Sequence, residues 1–335
     1  MMEPSALPLL LLSALPTISG HGHLTLPAST RHGGSMEKGG DCTNGACYWF
    51  SNNVEIPGAP TLPHSARSVQ LNVTGGERDV YKTSPWRAPG TAPVYGSGCG
   101  SAGGGPVAYL NGGWAPKGQG VKQGDDGLEL PAHGDPAVWP RGSEQEVGWA
   151  ISANHGGGYS YRLCPSDGNV TEECFQRTQL KFAGETSWIA FPNGTRFAFP
   201  ITKVTNGTFP IGSEWARDPI PGCYMCDAYT TCGAPMTPVP GFMPTKWNDQ
   251  VDCYAACDGT SVPKTTGGAC PEGTPQFPPP APEFSGFGKS VWEWSVIDKV
   301  VVPKDLKPGA YLLSWRWDCE ESTQVWQNCA DIVIQ

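Results

Sequence analysis

Clusters of basic residues and long apolar segments are both missing from this sequence. Lys and Arg number 22 against 31 Asp and Glu, which gives a formal net charge of −9, and the basic residues are scattered along the chain. A chain without a basic patch has nothing to attract nucleic acid or an anionic membrane surface. After the first twenty residues, no apolar run approaches the roughly 20 residues that span a bilayer. We therefore expect neither a nucleic-acid nor a membrane partner.

The common patterns of hydrolases and nucleotide-binding proteins are also absent. The sequence contains no G-x-S-x-G, no H-E-x-x-H and no G-x-x-x-x-G-K-[ST]. A glycosidase would need two carboxylates at a set separation. Adjacent acids such as Glu320 and Glu321 are more simply interpreted as solvated surface. Hydrolase and nucleotide chemistry therefore lack support.

Glycine, proline and tryptophan are abundant instead. The 44 Gly and 34 Pro exclude a bundle of long helices, and 13 Trp in a chain of 10% aromatic residues exclude a disordered one. Short segments of alternating apolar and polar residues lie between Gly and Pro, and they predict strands. The clearest are 146–153, 159–163, 188–190, 291–302 and 310–317. We predict a mainly β fold, an antiparallel β-sandwich of the immunoglobulin or fibronectin type III kind with long loops.

The first twenty residues have the pattern of a secretory signal peptide. An apolar stretch from Ala6 to Leu15 is followed by the small residues Ser19 and Gly20, as before a signal-peptidase site. Thirteen Cys and four N-x-[ST] sequons also fit a secreted, extracellular glycoprotein with disulfide bonds. We expect residues 21–335 to form one monomeric domain, with a Cys- and Pro-rich, disulfide-bonded insertion at about 212–288.

Cleavage after Gly20 would make His21 the first residue. Such a residue offers two nitrogen ligands, the α-amine and the imidazole Nδ1. The amine has an ordinary pKa of about 7.7 to 8.0, so a metal displaces its proton easily near neutral pH. With a second imidazole, the three nitrogens suit Cu(II), which favours tetragonal nitrogen-rich sites. We therefore predict one copper ion as the cofactor.

His155 is the candidate for the second imidazole. It stands at the end of a predicted strand and before three glycines, and Ala153 lies two residues earlier, on the same strand face. The small Ala153 side chain would leave space above a metal. His23 is close enough to His21 in sequence to be an alternative, whereas the remaining histidines lie in Gly- and Pro-rich loops.

Three segments together resemble the lytic polysaccharide monooxygenases. They are 21–31 (HGHLTLPASTR), 153–155 (ANH) and 324–334 (QVWQNCADIVI). The resemblance is greatest to auxiliary-activity family fifteen, and weaker to family ten and its chitin-binding type-4 domains. It spans the chain apart from the Cys-rich insertion.

The resemblance implies a site and an activity. His21 and His155 would bind copper as a histidine brace, Gln324 would hydrogen-bond the reacting oxygen species, and Ala153 would shape the face open to dioxygen. The axial position, a Tyr or Phe in the family, falls on Trp326, whose indole nitrogen has no lone pair to donate. The implied reaction is oxidative cleavage of glycosidic bonds in an insoluble polysaccharide such as chitin or cellulose, with electrons from an external donor.

Exposed aromatic rings are expected to contact the sugar rings of such a substrate. Tyr159, just after the glycine turn, and Trp49 are the candidates. Two other functions remain open: a non-catalytic carbohydrate-binding wall protein, which the Trp326 departure favours, and a copper-binding or copper-transport protein, for which His21 and His155 would suffice.

Overall fold

The structure is a computed structural model that describes most of the sandwich predicted above. The described residues are 21–31, 49–51, 89–90, 94–105, 122–130, 132, 134–153, 157–205, 208–219, 294–319 and 324–335. For residues 21, 49–51, 152–153 and 324 the structure describes the backbone but not the side chains. Apart from residues 212–219, the expected insertion at 212–288 lies outside the described residues.

Thirteen strands and one short α-helix form the described part of the chain. The strands are β1 His21–Leu26, β2 Trp49–Ser51, β3 Ala137–Trp139, β4 Glu144–Ala153, β5 Gly158–Pro165, β6 Lys181–Phe182, β7 Thr186–Ala190, β8 Arg196–Pro200, β9 Lys203–Val204, β10 Trp215–Arg217, β11 Ser295–Val301, β12 Gly309–Asp318 and β13 Gln324–Ile334. The helix α1 is Glu172–Arg177, and a 3₁₀ turn spans Gly127–Glu129. No helix among these residues is long and apolar enough to cross a membrane.

The strands form two sheets, which confirms the predicted mainly β sandwich. The six-stranded sheet has the order β1-β4-β11-β7-β8, with β6 beside β11, and the seven-stranded sheet has the order β2-β13-β12-β5-β10-β9, with β3 beside β13. The pairing of β3 with β13 is parallel, which departs from the fully antiparallel expectation. β3 then leads through residues 140–143 into β4 of the other sheet.

The five predicted strands correspond to β4, β5, β7, β11 and β12, with shifted ends. The helix α1 was not expected from the sequence. Thr171 caps its first turn by accepting a hydrogen bond from the backbone N–H of Cys174, and the Cys164–Cys174 disulfide joins it to β5. A helix of six residues has too few positions for an apolar periodicity to be recognised.

Aromatic side chains fill the space between the two sheets. Trp149 of β4 lies 5.1 Å from Trp315 and 5.4 Å from Trp317 of β12, measured between ring centroids, and 4.7 Å from Tyr159 of β5. The odd-numbered residues of β12 point into this core because side chains alternate along a strand.

The even-numbered residues of β12 point to the outer face of the seven-stranded sheet, which is also buried. There Glu172 of α1 accepts hydrogen bonds from Arg162 of β5 and from Arg316 of β12, and Gln327 of β13 donates to it at 3.1 Å. The segment 94–105 covers this network, and the Cys99–Cys329 disulfide joins that segment to β13. The seven-stranded sheet is therefore covered on both faces, by aromatic residues inside and by charged groups and disulfides outside.

Candidate functional site

The first residue of β1 lies opposite the last residue of β4. In the antiparallel β1–β4 ladder, His21 pairs with Ala153, His23 with Ala150 and Leu24 with Trp149. The register shifts between His21 and Gly22 and again before Leu26. The backbone N–H of Leu24 donates to the side-chain oxygen of the buried Asn328, from the opposite sheet, at 3.0 Å. The ladder and this cross-sheet hydrogen bond fix the start of β1 at one end of the sandwich.

Gly22 has to be small because it lies directly on the aromatic core. A Cβ atom at this position would lie 2.9 Å from Cη2 of Trp315 and 2.9 Å from Cε3 of Trp317, well inside van der Waals contact. The local packing thus explains why a glycine follows His21. The position of His21 depends on two core tryptophans.

The segment after β1 is attached to the other sheet. Thr30 pairs with Ala330 of β13, and Arg31 donates two hydrogen bonds to the carboxylate of Asp331, at 2.8 and 2.7 Å. Arg31 also donates to the carbonyl oxygen of Leu128 at 2.6 Å. Residues 21–31 therefore bridge the two sheets, which anchors the strand that begins with His21.

His155 lies outside the described residues, but the residues on either side of 154–156 are described. Ala153 on one side pairs with His21. On the other side, Gly157 has a left-handed φ of +91° and packs so closely on the backbone oxygen of Asp318 that a Cβ atom would lie 1.9 Å from it. The backbone N–H of Asp218 donates to the Gly157 oxygen at 2.9 Å. Only glycine fits this position.

Gln324 begins β13 at the same end of the sandwich. In the neighbouring ladders Asp318, the last residue of β12, pairs with Gly158 at the start of β5 and with Val325, the residue after Gln324. His21 and Ala153 therefore lie at one end of the β1–β4 pair, and Gly158 and Gln324 lie at the ends of β5 and β13, on either side of β12 in the other sheet. The structure describes no side chain for His21, Ala153 or Gln324, so the predicted roles of these residues stay predictions.

Among the described side chains, no group of three or more His, Cys, Asp or Glu residues is close enough to hold a metal ion. The two expected ligands, His21 and His155, are not among those side chains. His23, the alternative ligand, is described and is only 4% exposed.

Trp326 lies within the core. It has no exposed surface, and its ring centroid is 6.4 Å from that of Trp317. It pairs with Trp317 on one side and with Trp49 on the other. The indole is thus close to the tryptophans that lie under Gly22, and its predicted axial position beside a metal stays a prediction. The side chain of Trp49, expected to contact substrate, is not described.

Tyr159 does not have the predicted exposed position. It is completely buried, and its hydroxyl donates to Oδ1 of Asp298 on β11 at 3.1 Å. The sequence interpretation placed Tyr159 just after the glycine turn, at the start of a strand, and expected its ring to be exposed there. In the structure β5 is buried from its first residue, Gly158, through Cys164. Because no face of the ring reaches the surface, Tyr159 does not contact a polysaccharide.

Asp298 is a buried acid that the sequence interpretation missed. Its carboxylate accepts hydrogen bonds from the hydroxyls of Tyr159, Tyr161 and Ser187. Burial raises the pKa of Asp298 to about 6, although the three hydroxyl donors oppose the rise. The signal in the sequence was an acid in the middle of an apolar strand, flanked by Ile297 and Lys299.

Asp318 and Arg316 were missed as well. Asp318 is completely buried and accepts from Nε of Arg316 at 2.7 Å and from the backbone N–H of Gly90 at 2.9 Å. The alternation of Ser, Trp, Arg, Trp and Asp over 314–318 could have indicated a strand with an apolar face and a charged face. It did not indicate that both faces are buried.

No protein-family model and no curated protein matches this chain. Solved structures do match. A lytic polysaccharide monooxygenase of family AA15 from Thermobia domestica, in the Cu(I) state, is 15% identical with a TM-score of 0.24, over 59% of this chain and 62% of that one. A cellulose-active monooxygenase, CelS2, in complex with copper is 11% identical with a TM-score of 0.23, over 60% of this chain and 54% of that one.

A chitin-binding domain from Burkholderia pseudomallei is 11% identical, with a TM-score of 0.36, over 95% of this chain and all of that domain. The matched region spans less than two thirds of each of the two monooxygenases. These likenesses are distant and do not establish a family for the chain.

Proposed function

We propose that this protein is a secreted copper-dependent oxidoreductase that cleaves glycosidic bonds in an insoluble polysaccharide of the chitin or cellulose type. The observation that carries the proposal is the β1–β4 register, in which His21 lies opposite Ala153. This pairing joins two segments that are remote in sequence, and the potential ligands His21 and His155 belong to them.

Chain length limits how far His155 lies from this pairing. It is the second residue after Ala153, and two residues of extended chain span at most about 7 Å. A histidine side chain adds several ångströms of reach. The register is therefore compatible with a copper ion held by the His21 amine, the His21 imidazole and the His155 imidazole.

The proposal requires that the backbone nitrogen of His21 is a free amine. Within an intact chain this nitrogen belongs to a peptide bond and is a poor ligand, so removal of residues 1–20 is a chemical requirement of the site. Copper bound there would supply the one-electron and oxygen chemistry needed to break a strong C–H bond beside the glycosidic oxygen.

The remaining residues at this end would orient and shield the reactants. Gln324 can hydrogen-bond a polar reactant through its side-chain amide, and Ala153 would leave the approach open. Trp326 would shield the site from below without ligating. Trp49 is the remaining aromatic candidate for contact with the substrate.

Three forms of the secreted protein test the proposal. The first residue is determined by mass spectrometry, and Cu(II) binding is measured by calorimetry and electron paramagnetic resonance. We expect the form that begins at His21 to bind one copper with nitrogen ligands and to release oxidised oligosaccharides from chitin or cellulose, given a reductant and peroxide. A form that keeps Gly20 has no free His21 amine and should lose both properties, as should His155→Ala.

His64→Ala serves as the matched control, because His64 is expected to lie in a solvated loop and its removal should change nothing. Binding to the polysaccharide with copper uptake but no oxidised product would contradict the proposal and favour a carbohydrate-binding protein. Copper uptake with neither binding nor product would favour a copper carrier.

A further inference from the structure

The turn between β7 and β8 contains a sequon for N-glycosylation on an exposed corner of the fold. It spans residues 191–195, with the sequence FPNGT, and residues 192–195 are all exposed. β8 is the outermost strand of its sheet. A bulky group attached at Asn193 can therefore extend into solvent without displacing a strand of the described fold.

Two backbone hydrogen bonds close this turn. The N–H of Phe191 donates to the Thr195 oxygen at 2.9 Å, and the N–H of Gly194 donates to the Phe191 oxygen, also at 2.9 Å. Gly194 has a left-handed φ of +87°, as a three-residue hairpin loop requires at this position. Phe191 and Thr195 thus continue the ladder beyond the pair of Ala190 and Arg196. Residues that face each other in a ladder project from the same side of the sheet, so these two side chains are neighbours.

Asn193 is oriented for modification at its amide nitrogen. Its Oδ1 accepts a hydrogen bond from the backbone N–H of Thr195 at 3.0 Å, the contact of an Asx turn. An N-glycan is attached to asparagine through Nδ2. Because Oδ1 is held by the backbone, Nδ2 points away from that contact, and it has no hydrogen-bond partner within the described part of the chain. The atom that would carry a sugar is therefore available on the surface.

Phe191 supplies an aromatic ring beside this position. The residue is partly buried at the edge of the core, and its ring packs edge to face against that of Phe197, with 6.1 Å between the centroids and 89° between the planes. Part of the side chain remains on the surface. A pyranose ring presents C–H bonds on one face, and these pack well on the negative face of an aromatic ring.

We propose that Asn193 carries an N-linked glycan and that the first N-acetylglucosamine of this glycan packs on the ring of Phe191. The contact would bury aromatic surface that water now reaches, so the glycan would stabilise the folded chain. The inference rests on one part of the proposed function, export through a compartment that glycosylates asparagine. It does not depend on copper.

A second described sequon, at Asn169, is the matched control within the same chain. Asn169 is also exposed, but the residue two positions before it is Asp167 instead of an aromatic residue. The hydroxyl oxygen of Thr171 accepts from the N–H of Cys174, so this sequon leads into α1 and not across a hairpin. A glycan at Asn169 is therefore not expected to interact with Phe191.

A double-mutant cycle on the glycosylated protein tests the contact. The full chain is expressed in a eukaryotic host that attaches high-mannose glycans, and glycopeptide mass spectrometry identifies the modified asparagines. Thermal unfolding is measured for the wild type, Phe191→Leu, Asn193→Gln and the double variant. We expect Asn193→Gln to lower the melting temperature by about 2 °C more when Phe191 is present than in the Phe191→Leu background. Asn169→Gln should have the same effect in both backgrounds.

Two further measurements separate a sugar contact from a general change in stability. Trimming the glycans with an endoglycosidase to their first sugar should leave the difference between the backgrounds intact, because only that sugar reaches the ring. In NMR spectra of the trimmed protein, protons of the sugar at Asn193 that lie over the ring should be shifted upfield. Phe191→Leu should remove this shift.

Exported protein with an unmodified Asn193 overturns the inference. A modified Asn193 whose loss has equal effects in the two backgrounds, with no upfield shift of the sugar protons, also overturns it. Protein that is not exported overturns the proposed secretion and this inference together. Protein that carries the coupled glycan but binds no copper supports this inference and overturns the proposed function alone.

Discussion

Both faces of the seven-stranded sheet are buried, but the side chains on the two faces differ in chemistry. Between the sheets, Trp315 and Trp317 pack with Trp149 and Trp326. On the outer face, the residues that alternate with those tryptophans include Arg316, which is 1% exposed, and Asp318, which is not exposed at all. Aromatic burial stabilises without a partner, whereas buried charges stabilise only when each is matched. The outer face is therefore the more sensitive to a single substitution.

An acid from another element packs against each face, Glu172 of α1 outside and Asp298 of β11 inside, and the two acids differ in their partners. Burial alone would raise the pKa of Glu172, but the charges of Arg162 and Arg316 outweigh it and lower this pKa to about 2. Asp298 faces the core with hydroxyl partners, and burial raises its pKa to about 6. A hydroxyl donor stabilises the charge of a buried carboxylate less than a guanidinium partner does. The two acids consequently give the fold opposite dependences on pH.

The largest effect is expected from Glu172→Gln. It leaves Arg162 and Arg316 buried without their shared counter-charge, so the free energy of unfolding should fall by about 3 to 5 kcal/mol, as measured by urea denaturation at pH 7. Because the folded pKa is lowered, the stabilisation from Glu172 is present above pH 4.5 and is lost as the pH falls towards about 2. The variant should lack this loss.

Glu146→Gln is the matched control for Glu172→Gln. Its carboxylate also binds an arginine, Arg196, but the two side chains are 38% and 41% exposed. Exposed ion pairs contribute at most about 1 kcal/mol. Equal losses in the two variants would contradict the view that burial makes the outer charges sensitive.

Asp298→Asn tests the opposite pH dependence. The folded pKa is raised, so the stabilisation is complete below the unfolded pKa of about 3.9 and is lost as the pH rises through about 6. The wild-type protein should lose about 2 kcal/mol from this group between pH 4 and pH 7, and the variant should not. Urea denaturation at several pH values checks this, and parallel profiles for the two proteins would refute it.

A smaller effect is expected from Gly22→Ala, which adds one methyl group to the aromatic face. The new Cβ atom would press on Trp315 and Trp317, and overpacking of this kind costs about 1 to 3 kcal/mol. Gly168→Ala is the control, because a Cβ atom there meets nothing within 4 Å. Thermal unfolding of both variants measures the difference, and equal melting temperatures would show that β1 adjusts its position freely.

The inner face could be predicted from the sequence, and the outer face could not. Alternation of large apolar residues, as in Trp315 and Trp317, identifies strands directly because it follows from the geometry of one strand. The charged residues between them, such as Arg316, have the same pattern whether they face water or a second layer. Whether the charged face is exposed or buried depends on Gly98 and its neighbours, which cover it. Ser314 on this face donates a hydrogen bond to the Gly98 oxygen at 2.8 Å, although the two residues are more than 200 positions apart in sequence.

The candidate site was predicted in part by the same reasoning. The glycine after His21 and the glycines after His155 are visible as sequence features, but their packing partners, two tryptophans and the Asp318 carbonyl, are not. Tyr159 was wrongly expected to be exposed because β5 is buried on both faces, and the residues that cover it are remote in sequence.

The Cys99–Cys329 disulfide closes most of the chain into a covalent ring. The two cysteines are 230 residues apart, so two thirds of the polypeptide, including the whole Cys-rich stretch, forms a closed ring. A single proteolytic cut within this ring releases no fragment, because the two pieces stay covalently linked until the disulfide is reduced.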